Sequence, residues 1–281
     1  MFALDKTKTR SLSWLFIFGV AMSCTFTEAT LEDNDSPTDL EPTPAPDPEL
    51  DPIEISDPDP LPPIPPTQME GLLGQWSMDE NMGSEVNDST SNLHHGVIRG
   101  SNSPSWVNGT KGSAINFDGE NDVSFPPDSR FQPSSLTLSA WVKVDVDFHM
   151  YGWIVGEGDN FGLVVNRRDP GDLFFYFYNG AEWPNLTIPD VEFFDDDWHH
   201  MVATFDDATK TSSLYFDGVL RGTKVHEDSI VYAIESGIHI GSKTGERNFE
   251  GQIDEVHMFD RALSPAEVTA LLRESIPVSN D

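Results

Sequence analysis

Apolar and polar residues alternate along most of the chain beyond Met69. Residues 72–78, 113–117, 136–142 and 214–216 read as strands, because a period of two puts every second side chain on one face. Turns rich in Asp and Gly separate them. Asp217-Gly218, between Leu214-Tyr215-Phe216 and Val219-Leu220, predicts a tight hairpin, since glycine accepts a positive φ at little cost. One helix is predicted, at the end. Ser264 serves as its N-cap, Pro265 as its first residue and Glu267 as the capping-box carboxylate. Ala266, Val268, Ala270, Leu271 and Leu272 form its apolar side. About a dozen strands and one terminal helix predict an all-β fold, an antiparallel two-sheet sandwich.

The alternation is missing before residue 69, where composition takes over. Lys6, Lys8 and Arg10 precede an apolar run over residues 12–22, which has the length of a signal-peptide core and is too short to span a bilayer as a helix. It ends at Ala21-Met22-Ser23-Cys24, with the single cysteine of the chain. This resembles the bacterial lipobox, which implies cleavage after residue 23 and lipidation of Cys24. An ordinary cleaved signal peptide is the other reading, and both mean export. Thr25 after the cysteine implies forwarding to the outer membrane in such lipoproteins. The membrane contact would then be an acyl anchor. One cysteine allows no internal disulfide.

Residues 24–68 are acidic and proline-rich, with 12 prolines between Pro37 and Pro66. Such a segment has too little apolar surface to offset its chain entropy, so it is expected to be a disordered stalk, extended to at most about 130 Å. The whole chain holds 16 Lys+Arg against 48 Asp+Glu, a net charge of -32. Residues 69–276 still carry 34 acids against 13 bases. That excess argues against nucleic acid, whose phosphates need clustered cations, and against docking on anionic headgroups.

Six segments in series carry a family resemblance: residues 73–80, 114–119, 138–143, 198–206, 214–218 and 251–264. Together they resemble the laminin-G-like jellyroll family of the concanavalin A-like lectin/glucanase superfamily. The resemblance implies a jellyroll over residues 69–276, followed by a tail at 277–281. It also places Trp76, Trp141 and Trp198 in the core.

The fold hosts lectins, adhesion modules, lyases and glycosidases, so chemistry must be sought residue by residue. Glycoside hydrolysis needs two carboxylates across one bond, roughly 5–10 Å apart. Glu157 and Asp159 have the spacing for one strand face, but Gly156, Gly158 and Asn160 around them read as a turn. Arg167-Arg168 lacks a neighbouring tyrosine or histidine for lyase chemistry, and no serine elbow is present. His94-His95 and His199-His200 would point to opposite sheet faces, so neither pair chelates one ion. Relatives of this fold often hold a structural Ca²⁺. Carried over, this suggests Asp79, Asp118 and Asp254, then Asp88 and Asp122; turn residues that cap backbone amides are the alternative.

Trp183 lies in a polar loop with no periodic reason for an indole. Tyr178 and Trp153 lie in nearby aromatic segments, and Arg167 and Asn185 supply polar edges. These five are the candidate sugar platform, with an inter-sheet core cluster as the alternative for the tyrosines. The resulting expectation is a monomeric, surface-tethered, non-enzymatic module that binds an extracellular glycan or a surface protein. A glycan-active enzyme of the same fold is the alternative.

Overall fold

A computed structural model describes residues 69–100, 105–146, 151–167, 171–233, 236–246 and 248–274. The chain divides into two units, Met1–Pro58 and Asp59–Asp281, and every described residue belongs to the second. The leader, Cys24 and the proline-rich stalk lie outside the described residues.

Sixteen strands and one α-helix follow in order among the described residues. They are β1 (Leu72–Trp76), β2 (Glu85–Val86), β3 (Gly96–Gly100), β4 (Ser105–Asn108), β5 (Ser113–Asp118), β6 (Asn121–Ser124), β7 (Leu136–Val144) and β8 (Tyr151–Glu157). Then come β9 (Phe161–Asn166), β10 (Gly171–Phe177), β11 (Asn185–Val191), β12 (His199–Asp206), β13 (Thr211–Phe216), β14 (Val219–Val225), β15 (His239–Ile240), β16 (Glu250–Phe259) and α1 (Pro265–Glu274). All pairings are antiparallel, in two sheets of eight. The first runs β14-β13-β12-β7-β16-β5-β4, with β1 also on β16; the second runs β11-β10-β9-β8-β15-β6-β3-β2. This is the jellyroll sandwich the alternation predicts.

β7 shows how the pattern becomes a layer. Leu136, Leu138, Ala140, Val142 and Val144 enter the core between the sheets, while Thr137, Ser139 and Trp141 alternate to the outer face. Trp76 is fully buried in that core and contacts Phe125 and Phe131. Trp141 is buried too, on the outer face beside the His200 ring, whereas Trp198 is only partly buried and differs from expectation. The Asp217-Gly218 hairpin forms with both residues at positive φ, 51° and 75°. At α1, Ser264 N and Oγ both donate to Glu267 Oε2 at 2.8 Å, and Arg261 holds the same carboxylate through two nitrogens. Val268 and Leu271 of α1 pack on Val202, Tyr215 and Phe259, covering the outer face of the first sheet.

Candidate functional site

The outer face of the second sheet has a different fate. Outward residues of β8, β9, β10 and β11 line up in rows across the strands. One row is Trp153, Val164, Phe174 and Thr187; the next is Gly162, Tyr176 and Asn185; the third is Tyr151, Asn166 and Asp172. Gly162 is the gap that lets two aromatic rings meet. A Cβ there would lie 2.7 Å from Tyr176 Cε1 and 3.1 Å from Trp153 Nε1. With glycine in place, Trp153 Nε1 donates to Tyr176 Oη at 2.9 Å, and the rings meet edge to face. Tyr176 Oη donates in turn to the Gly158 carbonyl.

Trp183 stands at the end of this face because the loop over residues 179–184 is shaped by Asn179. Its side-chain oxygen accepts from Ala181 N and Glu182 N, and its backbone N–H closes on Glu182 O. Gly180 supplies a φ of 97°. Trp183 remains 49% exposed, with its Nε1 donating to Asp159 O at 2.8 Å and the Tyr178 ring tilted against it at 5.1 Å. Large rings left half in water, but fixed by hydrogen bonds, mark a surface prepared for contact.

Two cavities occupy the face. One, of about 360 Å³, is lined by Tyr151, Trp153, Asp159, Phe174, Tyr176, Trp183, Asn185 and Lys243. The other, of about 440 Å³, shares Tyr151, Phe174 and Asn185 and continues to Asp172 and Pro189. The Lys243 ammonium is ion-paired with Asp159 and lies 5.8 Å from the Trp153 ring centroid.

Of the five expected platform residues, Trp183, Trp153 and Asn185 line the first cavity, with Trp153 as its nearly buried floor. Tyr178 buttresses Trp183 from behind. Arg167 is not brought in. Its guanidinium donates to Val146 O at 2.6 Å and lies over Phe194, and it lines neither cavity. Sequence reasoning left out Tyr151, Phe174, Asp159 and Lys243. Alternation pairs Tyr151 with Trp153, but no local signal brings the distant Lys243 here.

Glu157 and Asp159 diverge. Asp159 reaches the cavity, whereas Glu157 is 1% exposed, accepts from Gln132 Nε2 at 2.8 Å, and leaves Oε2 without a partner. Burial pushes its carboxyl up to about 7, against the Gln132 and Asn160 amides. The two carboxyls therefore do not flank one bond, as paired catalysis requires. The second carboxylate on the face, Asp172, stands at the far end of the second cavity, near Asn166.

A laminin-G family model, described as the concanavalin A-like lectin/glucanases superfamily, matches residues 117–269, more than half of the chain. The chain belongs to this superfamily. No curated protein matches it by sequence. Among solved structures it is similar to domain 4 of AbnA, an extracellular arabinanase from Geobacillus stearothermophilus, solved in complex with arabinotriose. The TM-score is 0.56 at 21% identity, over 72% of this chain and 98% of that one. The binding domain of Paraclostridial Mosquitocidal Protein 1 gives a TM-score of 0.57 at 17% identity, over 73% and 52%. Trypanosoma rangeli sialidase gives 0.53 at 20% identity, over 75% and 35%. At these identities the likeness is one of fold, and this chain spans about half of the toxin domain and a third of the sialidase.

The Ca²⁺ ligands that membership of the concanavalin A-like superfamily suggested do not come together as one set. Asp79 and Asp254 flank the same turn, over residues 109–113. Asp79 Oδ1 accepts from Ser113 N, and Asp254 Oδ2 from Thr110 N, Thr110 Oγ1 and Lys111 N. Asp118 sits at the opposite end of β5, opposite Glu250, and caps Glu120 N. Asp88 is buried and closes its own loop, accepting from Gln75 N, Thr90 N and His94 N. Asp122 is buried with Arg99, His239 and Ser242. Burial opposes its charge, but those hydrogen bonds win and hold its carboxyl at about 2. Among the described residues, no three His, Cys, Asp or Glu side chains group to hold a metal ion. These aspartates fit the capping reading, with carboxylates committed to backbone amides and local ion pairs.

Beside Asp254, Glu255 has a φ of 45° where the β16 register slips, and its Oε1 is buried without a partner. Burial raises Asp254 to about 6, and burial plus the Asp254 charge raises Glu255 to about 7. Such groups suit protons better than a second negative charge.

Proposed function

We propose that this chain is a non-enzymatic glycan-binding module, tethered to the cell surface through a lipid on Cys24 and presented on its proline-rich stalk. One observation carries the reading. An exposed Trp183 is pinned at the mouth of an aromatic trough on the outer face of the second sheet. The apolar face of a sugar ring stacks on an indole, while Asn185, Asp159 and Asp172 offer acceptors for its hydroxyls. Two structures of similar fold support the choice: the AbnA domain in complex with arabinotriose and the mosquitocidal binding domain. The lipobox-like Ala21-Met22-Ser23-Cys24 supports the tether.

A glycan array probed with the full chain is expected to give Trp183-dependent binding. Trp183→Ala removes an aromatic anchor, a class of residue worth about 2 kcal/mol or more in a binding site, roughly thirtyfold in affinity. Retained affinity in that variant defeats the platform. Turnover of any bound glycan defeats the non-enzymatic part. Palmitate labelling of the exported chain, abolished by Cys24→Ser, tests the tether; equal labelling of the variant refutes it.

A further inference from the structure

We infer that the Asp159–Lys243 ion pair reads a vicinal diol of the glycan. One hydroxyl of the diol donates to the Asp159 carboxylate, and its neighbour accepts from the Lys243 ammonium. The inference rests on the glycan-binding reading above and adds to it which hydroxyls the trough requires.

The pair stands where a stacked sugar would meet it. Asp159 and Lys243 both line the first cavity, together with Trp153 and Trp183. The Asp159 carbonyl accepts from Trp183 Nε1 at 2.8 Å, and the Lys243 ammonium lies 5.8 Å from the Trp153 ring centroid. The pair therefore borders both indoles. A pyranose is apolar on its ring faces and polar at its rim, so a ring stacked at this corner directs rim hydroxyls toward the pair.

The backbone on both sides is fixed. The turn that carries Asp159 closes with Asn160 N donating to Glu157 O at 2.8 Å. Lys243 follows Ser242, which is buried and donates through Oγ to Asp122 Oδ2 at 2.8 Å. Asp122 is held in turn by Arg99 and His239. Gly245 N donates to Ser242 Oγ at 2.9 Å and Lys243 N to Glu246 O at 3.0 Å, which closes the second loop. Loops already fixed in this way leave less ordering cost for association.

The chemistry selects two hydroxyls and not one. An ammonium has more donors, and a carboxylate more acceptor sites, than the contact between Lys243 and Asp159 uses. A donor and an acceptor in contact are spaced like two gauche hydroxyl oxygens on neighbouring carbons. Each hydroxyl both donates and accepts, so a vicinal diol and the pair complete one ring of hydrogen bonds. The Asp159 and Lys243 side chains are 38% and 24% exposed, so water reaches both. A sugar that covers them removes that water, and a charged group left without a replacement partner is costly. A diol replaces the lost partner of each charge, whereas a lone hydroxyl replaces only one.

The test is calorimetric titration of the full chain with methyl glycosides of the linear gluco-, manno- and galactotrioses joined through the fourth carbon. Each is compared with forms deoxygenated throughout at the third carbon or at the exocyclic sixth. Both changes delete one hydroxyl per unit, but only the first leaves no adjacent pair on the ring. The sixth-carbon forms should bind within about threefold of the parent sugars, and the third-carbon forms roughly tenfold more weakly. Lys243→Met and Asp159→Asn should each weaken the parent sugars and close that gap, because one hydroxyl satisfies the single charge that remains. Trp183→Ala should weaken every sugar and leave the gap in place. A third-carbon penalty no larger than the sixth-carbon one overturns the inference, and so does a gap that survives in either variant of the pair. Failure of all three parent trisaccharides to bind also overturns it. Trp183-dependent binding elsewhere on the glycan array then keeps the glycan-binding reading, and its absence there defeats both.

Discussion

Glu157→Gln isolates a buried proton. The wild-type carboxyl lies inside the sandwich, 1% exposed, and its folded-state value is raised from 4.5 to about 7 by burial. Below pH 4.5 the carboxyl is neutral in the folded and unfolded chains alike, and its contribution to stability is fully present. Between pH 4.5 and 7 the unfolded chain releases the proton while the folded chain keeps it. Stability then falls by about 1.4 kcal/mol per pH unit, about 3 kcal/mol in all, and levels off above 7. Glutamine keeps the shape and the acceptor for Gln132 Nε2 but does not titrate. The variant should therefore match wild type near pH 4.5 and exceed it by up to about 3 kcal/mol at pH 8. Asp254 and Glu255 titrate in the same direction, but they are present in both proteins and cancel in the difference. Urea unfolding at pH 4.5, 6, 7 and 8, with both proteins in each buffer, measures it. A difference that stays constant across that range refutes the assignment of a neutral, buried Glu157.

Gly162→Ala should push the Tyr176 ring off Trp153, costing about 1–3 kcal/mol by overpacking, with a changed near-ultraviolet circular dichroism spectrum; an unaltered spectrum would show that the rings had room. His200 and His257 are buried neutral, held down to about 3 and about 4 chiefly by burial. Their contribution is complete above pH 6.5 and lost as pH falls below it, by about 1.4 kcal/mol per unit for each histidine. A variant carrying His200→Gln and His257→Gln should have an acid limb that is shallower by that amount, and parallel limbs would contradict the buried neutral state. Because Asp79 and Asp254 commit oxygens to turn amides, a chelator should leave the melting temperature unchanged. A rise of several degrees on adding Ca²⁺ would restore the expected ion, since a folded-state ligand must stabilise.

Much of the fold was readable because it rests on local rules. The alternation in β7, the Asp217-Gly218 hairpin and the Ser264-Glu267 capping box each depend on neighbours within a few residues. Alternation along β10 also puts Phe174 and Tyr176 on one face. What it does not encode is which face meets another layer. Trp141, which the family resemblance places in the core, is buried on the outer face beside His200. The site divides the same way. Trp183 stood out because no local rule explained an indole in its loop. Lys243 reaches Asp159 across 84 positions of sequence, and Arg167 leaves for Val146. Charge partnerships of that kind are decided by tertiary packing, and a single sequence carries no local trace of them. Oxygen-rich turns carry two readings at once, and here Asp88, Asp118 and Asp254 accept from backbone amides.

The location of the candidate site follows from how the sandwich treats its faces. The two inner faces are used up by the shared core. The outer face of the first sheet is closed by α1 over Val202, Tyr215 and Phe259. On the second sheet Trp153, Val164, Tyr176 and Phe174 form a small cluster of their own, with exposed Tyr151 and Trp183 at its margins. The polar tips of Trp153, Tyr176 and Trp183 are satisfied internally, and by one turn, over residues 157–160. Trp153 reaches Gly158 O through Tyr176, and Trp183 bonds Asp159 O. Polar groups that are already paired do not need water to satisfy them, so a ligand displaces solvent from the rings without breaking those bonds. The rings have also lost their rotamer freedom during folding, which removes part of the ordering cost of association. The same turn begins at Glu157, whose neutral side chain anchors it to Gln132 in the interior. The proton that the folded chain keeps up to about pH 7 is therefore held by the turn that fixes the binding face.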